Sequence, residues 1–119
     1  MISLKLDESK PIYLQIKAYI ENSIINKTLK TDERIPSTNE LAKFYQINPA
    51  TAAKGINELV DEGIIYKRRG VGMFVTENAR SILVEKRKES FYESYVLPLK
   101  NEADKLEITL DELVEMMKR

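Results

Sequence analysis

Two signals for the start of a helix stand close together in the middle of the chain, and they leave room for only a short helix between them. In IPSTNELAKFYQINPATAAKG, Ser37 is followed by Glu40, a pair that can satisfy the free N–H groups of a helix start reciprocally. Asn48 can cap a further helix, and Pro49 suits its first turn, where a backbone N–H would have no partner within the helix. The spacing predicts a short helix, a tight turn and another helix.

An amphipathic helix is predicted before this pair of helices, and a β-hairpin after it. Isoleucine recurs at every fourth position in PIYLQIKAYIENSIINK, residues 11–27, with Pro11 in the first turn. IIYKRRGVGMFVT has β-rich arms around a glycine-containing turn, which indicates a two-stranded hairpin. The order of helix, short helix, turn, helix and hairpin is that of a winged helix-turn-helix.

The third predicted helix carries two glycines with different expected roles. Gly63 is placed to end it. Gly55 lies in its interior, where glycine costs about 1 kcal/mol relative to alanine. A close approach of a neighbouring helix would explain that choice, and Ala52, Ile56 and Leu59 predict the face that packs.

Composition excludes several kinds of chemistry. The chain has 119 residues, 43% of them hydrophobic and 32% charged, which predicts one globular domain or a small domain with an appendage. It has no cysteine and no histidine, which removes disulfides, thiol catalysis and the usual zinc sites. The acids are scattered among lysines on helical patterns, as on a solvated face. We therefore expect no enzyme, no cofactor and no metal.

Two features bear on location. No apolar run approaches the roughly 20 residues that span a bilayer. The opening MISLKLDESK contains acids and lacks the apolar core of a signal peptide. Cytoplasmic residence is the expectation.

The character of the chain changes after Thr76. ENARSILVEKRKES is charged and helical in pattern, and Pro98 predicts a kink within the preceding turn of the helix that follows. Thr109 and Glu112 repeat the capping pattern and open a last helix. The predicted domains are residues 1–76 and a helical tail, residues 77–119.

A narrow apolar seam runs along this tail at a mean spacing of 3.5 residues. Its members are Tyr92, Val96, Leu99, Ala103 and Leu106, and Phe91 and Tyr95 add aromatic surface beside it. Dimerisation would bury this surface and place two copies of the first domain on a two-fold axis. The alternative is that the tail folds back on its own domain.

The motifs of the first domain resemble those of a known family. PSTNELA, NPATAAKGINELVDEGII and RRGVGMFV are similar to the PSxRxLA, VSxxTVxxAxxxLxxEGxI and xxGxGxFV patterns of the GntR family of bacterial transcription regulators, over about residues 10–76. The short tail resembles the YtrA-like branch, in which two helices mediate dimerisation. The resemblance implies a mainly α fold with a small hairpin, and a homodimeric regulator, expected to be a repressor, on a two-fold double-stranded DNA operator.

The chain departs from the family pattern in ways that remove charge from the expected DNA-reading surface. Asn39 stands where the family usually has a DNA-contacting arginine, and Gln46 stands where glycine is common in the turn. Pro49, Ala50 and Ala53 occupy positions that are often polar or basic.

The candidate DNA contacts on the third helix follow from its outward positions. Lys54 can reach a phosphate or a guanine edge, Asn57 could pair with adenine, and Ala50 could touch a thymine methyl. Thr51 and Asn48 suit phosphate contacts. Two alternatives stay open: Asn48 serves only as a cap, and Asn57 lies too far along the helix.

Two further groups complete the candidate interface. Thr38 and Asn39 lie near a helix N-terminus that suits a phosphate, whereas Ser37 is expected to be engaged in capping. In the hairpin, Lys67, Arg68 and Arg69 would meet phosphates or enter a minor groove, and Gly70 would let the backbone approach DNA closely.

Net charge leaves a second function class open. The 19 basic and 19 acidic residues balance, so no bulk attraction to nucleic acid is expected, although residues 67–69 form a run of three consecutive cations. A winged-helix module that uses its hairpin for protein contacts, without sequence-specific DNA binding, is the competing hypothesis. The sequence nominates no residue for a small-molecule effector.

Overall fold

The computed structural model describes residues 6–119, and the chain divides into two compact units. One unit ends at Val84, and the other runs from Glu85 to Arg119. Among the described residues, no helix has both the length and the apolar character needed to cross a membrane.

The first unit contains three helices and a small antiparallel sheet. Helix α1 spans Ile12–Ile25, α2 spans Thr38–Tyr45 and α3 spans Pro49–Asp61. Strand β1 is Arg34–Ile35, β2 is Ile65–Arg68 and β3 is Gly72–Val75, in the order β1-β3-β2. The mainly helical fold class with a small sheet is confirmed.

The predicted hairpin is present, but its sheet has a third strand. Arg34 pairs with Phe74 and Ile35 with Met73, so β1 extends the hairpin across β3. This strand was not predicted, because two residues are too short to show a period of two. The two-stranded description was therefore incomplete.

Both predicted helix starts are confirmed at the level of hydrogen bonds. The Ser37 hydroxyl accepts the Glu40 N–H at 3.0 Å, and Glu40 Oε1 accepts the Ser37 N–H at 3.2 Å. Asn48 Oδ1 accepts the Ala50 N–H at 2.8 Å. Pro11 differs slightly from expectation, since it is the N-cap of α1 rather than part of its first turn.

The core of the first unit forms where α1, α3 and the sheet meet. Ile16, Ile20 and Ile24 of the predicted stripe are buried, and so are Ile56 and Leu59 of α3. Each such side chain contributes about 1.5–3 kcal/mol through burial. Together they fix α3 against α1.

Gly55 permits a close contact between these two helices. A Cβ at this position would lie 2.7 Å from the main-chain oxygen of Tyr13, closer than real Cβ atoms come to other atoms. The predicted close approach is confirmed, and α1 is the neighbour.

Lys17 joins the same two helices with a forked ion pair. Its side chain is only 11% exposed, and its Nζ lies 3.1 Å from Glu58 Oε1 and 2.5 Å from Glu62 Oε2. Burial lowers the pKa of Lys17, but the hydrogen bonds to Glu62 and Glu58 outweigh it and hold that pKa above its ordinary value.

The first turns of the next helix, α4, also belong to the core of the first unit. Helix α4 spans Ala79–Phe91, and its Ala79 and Leu83 are buried in that core. A chain cut at Thr76 would therefore lose two side chains of that core.

The second unit contains the rest of α4 and two further helices. A π-helical turn covers Tyr92–Val96, α5 spans Leu97–Lys105 and α6 spans Leu110–Met117. The π turn ends two residues before Pro98, in the region where a local distortion was expected, and the N–H of the next residue, Leu97, donates to the Tyr92 oxygen. The Thr109–Glu112 capping box at the start of α6 is confirmed.

Gly55→Ala is expected to lower the free energy of unfolding by about 1–3 kcal/mol, measured by urea denaturation. Alanine is the better helix former by about 1 kcal/mol, but its Cβ would force α1 away from α3. Asn57→Ala is the control, because it places the same residue on the exposed side of α3 and should cost nothing. A Gly55→Ala chain as stable as the parent would contradict the close approach.

Stability at high pH should depend on Lys17. Its pKa is raised in the folded state, so its contribution is complete below the unfolded value of about 10.4 and is lost as pH rises through the folded value. Lys17→Met keeps the apolar stem and should cost about 1–2 kcal/mol at neutral pH. The difference in unfolding free energy between parent and variant should shrink above about pH 10; a constant difference would refute the assignment.

Candidate nucleic-acid interface

The outward face of α3 carries a strip of small and polar side chains. Ala50, Lys54 and Asn57 are exposed along it, Thr51 is half-buried beside them, and Asp61 stands at its far end. The carboxylate of Asp61 would repel a phosphate at that end of α3. Contacts with a polyanion are therefore favoured toward the N-terminal half of α3.

Lys54 is held by an aromatic ring that sequence analysis did not associate with it. Its ammonium lies 4.1 Å from the centroid of the Tyr13 ring of α1, a cation–π contact. The two residues are distant in sequence, and no local pattern links them. The half-buried Tyr13 therefore borders the strip and limits where Lys54 can point.

The N-termini of α2 and α3 are both occupied by their own caps. Asn48 is exposed and engages its Oδ1 in the cap, a role that does not use its NH₂ group. Asn39 is exposed in the first turn of α2, and Thr38 is half-buried. The expectation that Ser37 is engaged in capping is confirmed.

The three consecutive cations do not share one face of the hairpin. Successive side chains of a strand point to opposite faces of the sheet. Lys67 therefore shares a face with the buried Ile65, which packs in the core, whereas Arg68 lies on the outer face with Tyr66. Arg68 sits over the Phe74 ring at 5.4 Å, and that ring stacks on Tyr66.

Arg69 and Gly70 form the tip of the hairpin. The Val71 N–H closes the turn by donating to the Arg68 oxygen at 2.9 Å. Gly70 has a φ of 77°, which the third position of a type II turn requires. Both residues are exposed, and they project beyond the sheet.

Glu40 connects the sheet to the start of α2. Its Oε1 accepts a hydrogen bond from Arg34 Nη2 at 3.0 Å in addition to the Ser37 N–H. The Ser37 backbone N–H first, and then Arg34, hold the pKa of Glu40 below its ordinary value. Arg34 was not a candidate from sequence, because it lies before the first helix-start signal.

The predicted seam residues of the second unit are partly brought together. Tyr92, Val96, Leu99 and Ala103 line an open groove of about 400 Å³. Four residues from the α5–α6 connection and α6 line it too: Ile108, Leu110, Leu113 and Met117. These four residues were not predicted, although the apolar pattern of LDELVEMM contains a signal for the three that lie on α6.

The remaining seam candidates lie outside this groove. Leu106 is the C-cap of α5 and is 60% exposed. Phe91 and Tyr95 contact each other with ring centroids 5.4 Å apart and are both exposed. The second unit therefore presents two apolar surfaces, a groove and an aromatic pair.

No group of three acidic side chains in the described part of the chain is arranged to hold a metal ion. The geometry offers surfaces that suit macromolecules: a polar helix strip, a basic hairpin tip and an apolar groove.

Residues 12–75 match the model of the bacterial regulatory proteins, gntR family. The HTH-type transcriptional repressor YtrA of Bacillus subtilis is 39% identical over 85 residues, which are 71% of this chain and 65% of YtrA. The match thus leaves about a third of YtrA uncovered.

Solved structures extend the comparison to the whole fold. A GntR family transcriptional regulator from Listeria monocytogenes superposes with a TM-score of 0.73 at 32% identity, covering 95% of this chain and 97% of that one. The DNA-binding domain of AraR in complex with operator ORX1 has a TM-score of 0.53 at 32% identity, covering 64% of this chain and 93% of that one.

Proposed function

Because the chain belongs to the GntR family of bacterial regulatory proteins, we propose that it is a transcription regulator that binds double-stranded operator DNA as a homodimer. The observation that carries this proposal is the likeness of its winged-helix unit to the DNA-binding domain of AraR, which has been solved with its operator. The name of YtrA supports a repressor. Its proposed place is the cytoplasm, where its DNA partner would lie.

Helix α3 is the proposed reading element. Its exposed strip has Ala50, Lys54 and Asn57 at successive helical turns, and a helix with such a face fits the major groove. Tyr13 limits Lys54 to directions near the N-terminal end of α1. Thr51 and the NH₂ group of Asn48 would contact phosphates beside the groove.

The hairpin is the proposed wing. Arg69 and Gly70 at its exposed tip would approach the DNA most closely, and Arg68 would contribute from the outer face. Lys67 faces the other side of the hairpin, so Lys67 and Arg68 are not expected to contact the same DNA phosphate. At the start of α2, Asn39 is the more exposed of the two candidates for a phosphate contact, with Thr38 beside it.

The second unit is the proposed dimerisation element. Leu99 is 42% exposed, and Leu110 and Met117 are 73% and 67% exposed on the same groove. Leaving such side chains in water forgoes about 25 cal/mol for each Å² of apolar surface that a partner could cover. A second copy would supply equivalent surfaces by symmetry.

The wing proposal predicts a change in salt dependence. DNA selected from a random pool should bind the parent chain, and Arg68→Ala with Arg69→Ala should flatten its log–log salt slope by about 0.9 for each phosphate that the variant no longer neutralises. Gel shifts over a series of salt concentrations measure this slope.

Lys88→Ala with Lys118→Ala is the matched control, because it removes two exposed cations from outside α2, α3 and the sheet. An unchanged slope in the wing variant would remove the wing from the interface. If the selection recovered no DNA sequence above background, the protein-interaction module would be the better hypothesis.

Leu99→Asp should dissociate the proposed dimer, because it places a carboxylate among the mainly apolar side chains of the groove. Operator affinity should then fall by about 10²–10⁴, since the two heads would no longer bind as one tethered pair. Leu14→Asp in α1 makes the same substitution at a residue that is also 42% exposed, and it should leave assembly unchanged. Sedimentation measures the mass; a Leu99→Asp chain that remains dimeric would place the interface elsewhere.

A further inference from the structure

Arg34 lies across the first residue of β3. A Cβ at position 72 would be 2.8 Å from Arg34 Nε and 3.5 Å from its Cδ, so Arg34 keeps this position only because residue 72 has no side chain. The sheet register places Arg34 opposite Phe74, two residues along β3 from Gly72 and on the same face. Arg34 therefore rests on the outer face of the hairpin.

Arg68 shares this face and approaches the same glycine from the other side. It is the cross-strand partner of Gly72, and its guanidinium sits over the Phe74 ring. Two guanidinium groups thus flank one short stretch of β3, one from β1 and one from β2. The sequence pattern of the hairpin indicated only Arg68 of these two residues.

Glu40 holds Arg34 in this position. The ion pair between Arg34 Nη2 and Glu40 Oε1 measures 3.0 Å, and Glu40 is itself tied to the Ser37 N–H at the start of α2. Both side chains are about half exposed, at 48% and 49%. An isolated surface pair of this kind contributes little to stability, so stability alone is a weak reason for this arrangement.

We propose that Arg34 is a further phosphate-contacting residue of the DNA interface, seated on Gly72 and oriented by Glu40. The proposal rests on the proposed function. One N–H of the guanidinium points to Glu40, and the planar fork has further donors that suit the oxygens of a phosphate. Because Glu40 and Gly72 already restrict the side chain, DNA binding costs less rotamer entropy.

The location of Arg34 supports this role over a purely structural one. It spans from the hairpin, the proposed wing, to the N-terminus of α2, where Asn39 is exposed. A phosphate held there would lie between two elements that are both proposed to contact the backbone. A single residue would then set the spacing between these contacts.

Three variants separate a phosphate contact from a structural link. Arg34→Gln keeps the stem over Gly72 but removes the charge, and it should flatten the salt slope by about 0.9 for each head bound. Arg34→Lys keeps the charge and should keep most of the slope while weakening operator binding. Glu40→Gln preserves the capping pattern and should leave the slope unchanged.

Lys88→Ala is the control for removal of one charge outside α2, α3 and the sheet, and thermal melting checks that each variant is folded. Suppose that Arg34→Gln and Glu40→Gln reduced DNA affinity equally, and that both variants kept the salt slope of the parent chain. Arg34 would then be only a structural link, and the proposal would fail. In that case DNA binding by the parent would leave the proposed function standing. A parent chain with no salt-dependent DNA binding would overturn both.

Discussion

The contact between α1 and α3 at Gly55 is the constraint on which the rest of the first unit depends. The main-chain oxygen of Tyr13 comes so near that no side chain fits between the helices, and Lys17 spans the same interface to two carboxylates of α3. With its inner face fixed in this way, α3 can present only one strip to solvent. The same contact brings the Tyr13 ring beneath Lys54, so packing in the core determines the direction of a candidate DNA contact.

Local signals in the sequence predicted the helices well because each signal corresponds to a hydrogen bond made within a few residues. Ser37, Asn48 and Thr109 cap helices as expected, since an N-cap satisfies groups close to itself in the chain. Strand β1 was missed because it is very short and its partner, β3, lies far along the chain. Arg34 was missed with it, since its position depends on contacts with Gly72 and Glu40, which are not its neighbours in sequence.

The surfaces were predicted less completely than the helices, for a related reason. Three consecutive cations look like one patch in a sequence, but alternation along β2 sends Lys67 and Arg68 to opposite faces. The apolar seam was likewise predicted from one helical pattern, whereas α6 supplies part of the groove's lining. In a chain without net charge, such placement decides where a polyanion could bind.

The π-helical turn at Tyr92–Val96 contributes to both apolar surfaces of the second unit, since Tyr92 and Val96 line the groove and Tyr95 belongs to the aromatic pair. A π turn accommodates one residue more than an α-helical turn, and each residue of an α-helix advances the side-chain direction by roughly 100°. Removal of a single residue here would restore a regular helix and rotate the downstream apolar positions relative to Phe91. A one-residue deletion could therefore change which apolar side chains lie on the same side as Phe91, while the composition of both helices stayed nearly the same. The segment before Pro98 is thus a place where a lineage of such proteins could diverge in self-association without altering the residues of the winged helix.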